Sequence, residues 1–130
     1  MVVADMEAGL EHLSWAGGTL RHVDALLLVA EPQSKVLLTA RRAYRLAGEL
    51  GIERVAFVGN RVNPGEEARL ESFAAELGAE LLAAVPEDPA VIAADRAGRC
   101  LLDHDPASPA VRAIERLADD LEARYLTPVG

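Results

Sequence analysis

Several polar clusters stand where apolar runs stop, and their residue types suit phosphate, magnesium and base chemistry. Asp5 follows Val2-Val3-Ala4. A carboxylate at the end of an apolar strand is well placed to hold a magnesium ion through its water shell. Gly9 has no Cβ, so its backbone N–H can approach a phosphate closely. Asn60-Arg61 closes the run "VAFVG". The Asn60 amide offers a donor and an acceptor, the pair needed to read a base edge. Glu31-Pro32 and Pro86-Glu87-Asp88 end two further runs. Each has a plainer reading as well: Asp5 can cap a following helix, and Asn60 can shape a turn.

The apolar runs are the elements that must carry these clusters. Residues 25–30, "ALLLVA", 55–59, "VAFVG", and 81–85, "LLAAV", read as strands buried on both faces. Residues 2–4 read as a stub of another. Ser34 is expected to cap a helix running to about Leu50, with Gly51 as its left-handed stop. Val36, Ala40, Ala43, Ala47 and Leu50 make its apolar stripe. Three later helices are expected to begin at Asn63-Pro64, Asp88-Pro89 and Ser108-Pro109, each with a capping side chain before a proline at the first helical position. Glu66 can complete a capping box with Asn63. The second helix turns Leu70, Phe73, Ala74 and Leu77 inward. The last puts Val111, Ile114, Leu117, Leu121 and Tyr125 on one side. Strand and helix alternate, which implies parallel strands joined by crossovers in a doubly wound α/β sheet. In such sheets ligands bind outside the carboxyl ends of the strands, where the clusters lie.

Composition narrows the function. The chain has 130 residues, 51% hydrophobic and 26% charged, enough for one domain with an aliphatic core. A formal net charge of −8 argues against nonspecific nucleic-acid binding. Arg41, Arg42 and Arg45 read as a solvated helix face. A single cysteine, Cys100, allows no internal disulfide and suits a reducing compartment; it is expected to be a small buried hydrophobe. No run suits a membrane span or a signal peptide, so a cytoplasmic protein is expected. Asp103-His104-Asp105 reads as a surface turn rather than a metal site.

Residues 2–33 closely resemble the second half of the MinD/ParA-like P-loop ATPases, and within them the carbon monoxide dehydrogenase maturation type, CooC. Asp5, Glu7, Ala8, Gly9, Glu11 and His12 match that family's switch II segment. Asp24 to Pro32 match its next strand. Asn60-Arg61 matches its base-contacting step, and Val85-Pro86-Glu87-Asp88 its adenine-side loop, with "ADRAG" (94–98) following in register. The resemblance implies a three-layer, mainly parallel sheet, a partial P-loop NTPase fold of the SIMIBI type, over residues 1–130 as one partial nucleotide-binding domain. It implies ATP and Mg as cofactors, with Asp5 as the catalytic and magnesium-holding residue. Gly9, Asn60, Arg61, Pro86 and Asp88 are the implied nucleotide contacts. Intact relatives are expected to couple ATP hydrolysis to dimer switching and to nickel insertion into a metalloenzyme client.

One part of the family pattern is missing from the sequence. No Gly-rich loop ending in Gly-Lys-Ser/Thr is present, and Lys35 is the only lysine. The chain is therefore expected to begin inside the strand that carries Asp5, with Met1 matching an internal position of longer relatives. P-loop amides and lysine supply most phosphate binding in this fold. Without them the chain alone is expected to bind ATP weakly or not at all, and not to hydrolyse it. The strand at 25–30 is expected to keep an unpaired apolar edge, which predicts a homodimer or a contact with a separate P-loop half. The alternative is a non-catalytic α/β protein-interaction domain. A response-regulator-like fold lacks its acidic pair and late-strand lysine.

Overall fold

The computed structural model describes residue 3 and residues 23–126. Asp5 and Gly9, with Glu7, Glu11, His12 and Trp15, lie outside the described residues. Three parallel strands form one sheet in the order β1 (Leu26–Ala30), β2 (Val55–Val62), β3 (Leu81–Pro86). Between them run α1 (Ser34–Glu49) and α2 (Glu67–Glu76). After β3 come α3 (Pro89–Arg96), the short α4 (Leu101–His104) and α5 (Pro109–Leu121), which passes into a π-helical turn, Glu122–Leu126.

Alternation along the strands sorts the core into two layers. One face of the sheet, with Leu28, Ala30 and Phe57, packs against Leu37 and Ala40 of α1 and against Leu70, Phe73 and Ala74 of α2. Phe57 stacks on Tyr44 with centroids 5.7 Å apart and meets Phe73 edge-on at 5.2 Å. Each such aromatic pair adds roughly 0.5–1.5 kcal/mol beyond area burial. The opposite face, with Leu27, Val58 and Val85, packs against Ala110 and Ala113 of α5. The architecture is thus three-layered α/β with a parallel sheet, as expected.

Several local expectations are corrected. Helix α1 starts at Ser34 itself; Gln33 is its N-cap and makes no side-chain cap bond. The Ser34 hydroxyl instead accepts a hydrogen bond from Arg69 at 2.8 Å, tying α1 to α2. Pro64 does not open a helix. Residues 64–66 form a turn in which Gly65 takes φ +89°, and α2 begins at Glu67. Half of the capping box survives, because the Asn63 N–H donates to Glu66 Oε1 at 2.9 Å. Asp88-Pro89 and Ser108-Pro109 do open helices, with each side chain capping its own. Ile114 is 49% exposed rather than inward-facing, because Ala110 and Ala113 let α5 sit close to the sheet on a neighbouring stripe. Cys100 is exposed, since the segment before α4 lies at the surface. No helix among the described residues is long and apolar enough to cross a membrane.

Candidate functional site

The carboxyl ends of the three strands converge on a shallow cleft of about 80 Å³ lined by Glu31, Pro32, Gln33, Arg61, Asn63, Glu66 and Glu87. Arg61 crosses it. Its Nη1 lies 3.7 Å from Glu31 Oε1, just beyond β1, and its Nη2 lies 3.5 Å from Glu87 Oε1, just beyond β3. One guanidinium from β2 therefore bridges the ends of both neighbouring strands.

The backbone that aims Arg61 is irregular. β2 runs on past Gly59 to Val62, so Asn60 and Arg61 stand inside the strand, not after it. The pairing with β3 slips between Gly59 and Val62, where Val62 meets Pro86. Within the slip Arg61 adopts φ +52° and is, among the described residues, the one non-glycine residue with positive φ. That region costs an L-residue roughly 1–2 kcal/mol. Strain of this kind persists where surrounding structure imposes it, and it clusters at ligand sites.

Three carboxylates and one guanidinium line this cleft, so its charge is net acidic. Such a lining repels phosphate groups. It suits a group that presents N–H or O–H donors to carboxylates. The Glu87 N–H donates to the Val62 carbonyl at 3.2 Å, which pins the rim of β3 to β2.

Of the described candidates, the structure brings Arg61 into the cleft. Pro86 stands at the register position beside Val62. Asn60 is half-buried one residue before Arg61 and does not line the cleft. Asp88 turns away from it: Ala90 N–H donates to Oδ1 at 2.9 Å, and Ala110 N–H donates to Oδ2 at 3.1 Å. The Ala90 amide first, then the Ala110 amide and the Ser108 side chain, hold the Asp88 carboxyl below the usual aspartate range against the opposing effect of desolvation. Sequence reasoning missed Gln33, Asn63 and Glu66 as cleft residues. Their signal was position, since each follows a strand end by one to four residues.

No family model matches the chain. It is 39% identical over 119 residues to an uncharacterized ATP-binding protein of Methanocaldococcus jannaschii, covering 90% of this chain and 44% of that protein. It is 38% identical over 107 residues to the carbon monoxide dehydrogenase accessory protein CooC of Rhodospirillum rubrum, covering 82% of this chain and 39% of CooC. The chain is similar to one part of CooC and of this ATP-binding protein. It spans less than half the length of these curated relatives. Among solved structures, the cell division ATPase MinD of Pyrococcus furiosus superposes with TM-score 0.71 at 26% identity, covering 92% of this chain and 50% of that one. MinD of Pyrococcus horikoshii, solved with Mg-ADP, gives 0.69 at 24% identity and supports the fold. The likeness to MinD agrees with the parallel α/β sheet.

Proposed function

We propose that this chain supplies the base-side wall of an adenine-nucleotide site in a CooC-like, MinD/ParA-type protein. The observation that carries the reading is Arg61, held at φ +52° and bridging Glu31 and Glu87 across the ends of three parallel strands. In this reading Arg61 faces the base in the cleft, with Asn60 and Pro86 flanking it and Asp88 behind their loop. The net acidic lining fits the base of a nucleotide and not its phosphates. The phosphate side, with Asp5 and Gly9 as its magnesium and amide contributors, belongs to the part of the reading drawn from sequence.

In this reading the chain alone does not hydrolyse ATP, for want of a P-loop lysine. Together with a P-loop-bearing segment, or in a dimer, it would take part in ATP-driven delivery of nickel to a metalloenzyme client. The relationship to CooC, named as an accessory protein of carbon monoxide dehydrogenase, supports that client class. A second reading, a non-catalytic interaction domain, draws support from the exposed aliphatic side chains of Ile92, Leu102 and Ile114.

Titration of the 15N-labelled chain with adenosine and with Mg-ATP tests the first reading. Adenosine is expected to shift the amides of residues 60–63 and 86–88 at millimolar concentration, with Mg-ATP binding no more tightly. Micromolar Mg-ATP affinity, phosphate release by the chain alone, or shifts confined to the opposite end of the sheet would each overturn it.

A further inference from the structure

We infer that Asp88 is a positioning residue: its one carboxylate ties the start of α3 to the start of α5, and so fixes the Pro86–Glu87 rim of the strand-end cleft. The helix-start amides have no intrahelical acceptors and need outside ones. An N-cap side chain normally serves its own helix, within two or three residues. Asp88 does this through Oδ1 and Ala90 N–H. Its second oxygen reaches 22 residues along the chain to Ala110 N–H, in the first turn of α5. Two helix N-termini, each a centre of partial positive charge, thus converge on one anion. Ser108, 2% exposed, caps α5 beside it by accepting from Val111 N–H at 3.3 Å.

The consequence reaches the cleft through one peptide unit. Glu87 precedes Asp88, lines the cleft and pairs with Arg61. Its N–H is tied to the Val62 carbonyl on β2. The rim is therefore held from both sides, by β2 before Glu87 and by α5 after it. α5 in turn is seated on Val58 and Val85 through Ala110 and Ala113. Asp88 joins that seated helix to the residue that meets Arg61. Asp88 does not line the cleft, and each of its carboxylate oxygens accepts a helix-start amide. The positioning claim rests on the base-side reading for its ligand, but the clamp itself does not.

Asp88→Asn separates a clamp from an ordinary cap. Asparagine caps a single helix as well as aspartate does, but it has one acceptor oxygen where the clamp needs two. In the full chain, amide exchange measured by NMR is expected to stay near wild type at Ala90 in D88N. It is expected to rise about tenfold at Ala110 and Glu87, as a local opening is made easier. Adenosine-induced shifts at Arg61 and Glu87 should weaken in parallel. Unchanged exchange at Ala110 and Glu87 would reduce Asp88 to a cap and overturn the inference. Faster exchange with undiminished adenosine shifts would overturn the positioning claim. If wild type gives no adenosine response, the base-side reading fails, and exchange at Ala110 and Glu87 still decides the clamp. Should D88N not fold, wild type decides it. Ala90, Ala110 and Glu87 are expected to share one opening free energy and one denaturant dependence, and three separate values would overturn the clamp.

Discussion

The guanidinium of Arg61 meets the carboxylate of Glu87 at 3.5 Å, across the ends of two adjacent parallel strands, from a residue in the left-handed region. The pair is exposed, with Arg61 at 62%, and exposed pairs contribute less than about 1 kcal/mol. The backbone strain at Arg61 is of the same size or larger. Stability and site therefore pull in opposite directions here. Arg61→Gly is expected to hold or raise the unfolding free energy by up to about 1 kcal/mol, read from urea denaturation. The same variant should lose most of the adenosine-induced shift at Glu87. A loss in R61G larger than the roughly 1 kcal/mol that its exposed ion pairs supply would show that the left-handed turn is not strained.

Gly59 sits one element deeper. A Cβ placed there would lie 2.6 Å from Leu70 Cδ1 and 3.0 Å from Val62 Cγ2. Leu70 is 2% exposed and hemmed in by the core, so it has little room to yield. Gly59→Ala should cost about 1–3 kcal/mol through overpacking. If the clash is with Leu70, the loss in Gly59→Ala/Leu70→Ala will be smaller than the sum of the single losses by more than about 0.5 kcal/mol. Additive losses would place the strain in the backbone instead.

At the other end of the sheet, Arg124 grips Glu80 with two nitrogens, each 2.8 Å from a carboxylate oxygen. Its Nε also lies 3.1 Å from Asp120 Oδ2. The Arg124 hydrogen bond, outweighing desolvation, holds the Glu80 carboxyl below its ordinary value of 4.5. A lowered folded-state pKa means that the unfolded chain takes up the proton first. The stabilisation is thus complete above pH 4.5 and is lost as pH falls through the folded value beneath it. With Glu80 55% and Arg124 40% exposed, solvent screening limits the gain to about 1 kcal/mol or less. Arg124→Ala should flatten the part of the acid-side stability curve that belongs to Glu80. Identical curves for the two proteins between pH 5 and about pH 3 would remove Glu80 from the account.

The strands were legible because parallel strands read as continuous apolar runs. "LLLVA" and "LLAAVP" needed no partner to be recognised. Asp88 and Ser108 were legible as caps because the capping bond is local. What escaped was everything set by distant residues. The extension of β2 through Asn60 and Arg61 depends on Pro86 as register partner and on carboxylates 30 and 26 positions away. The second bond of Asp88, to Ala110, has no local signal at all. Asn63-Pro64 misled because Gly65 admits a left-handed turn before α2. Ile114 misled because a period of 3.6 allows two neighbouring stripes, and the small residues Ala110 and Ala113 take the inner one.

β1 carries the remaining consequence. Its inner edge pairs with β2, and no strand pairs with its outer edge among the described residues. On the α5 side of the sheet Leu27 is half-buried, whereas Val29, in register with Val58, is 64% exposed. Parallel sheets are ordinarily covered on both faces, and an unpaired apolar edge is a template for another chain. Self-association, or pairing with a P-loop-bearing segment, is therefore expected to run through β1. Val29→Lys introduces a charge at the exposed position and should change unfolding free energy by no more than about 0.5 kcal/mol. In sedimentation velocity the wild-type chain is expected to gain mass with concentration, and V29K to stay monomeric over the same range. A wild type that remains monomeric at the highest attainable concentration, with no response to added P-loop segment, would leave β1 a free edge. Equal association by V29K would move the interface to the exposed aliphatic residues of α3 to α5.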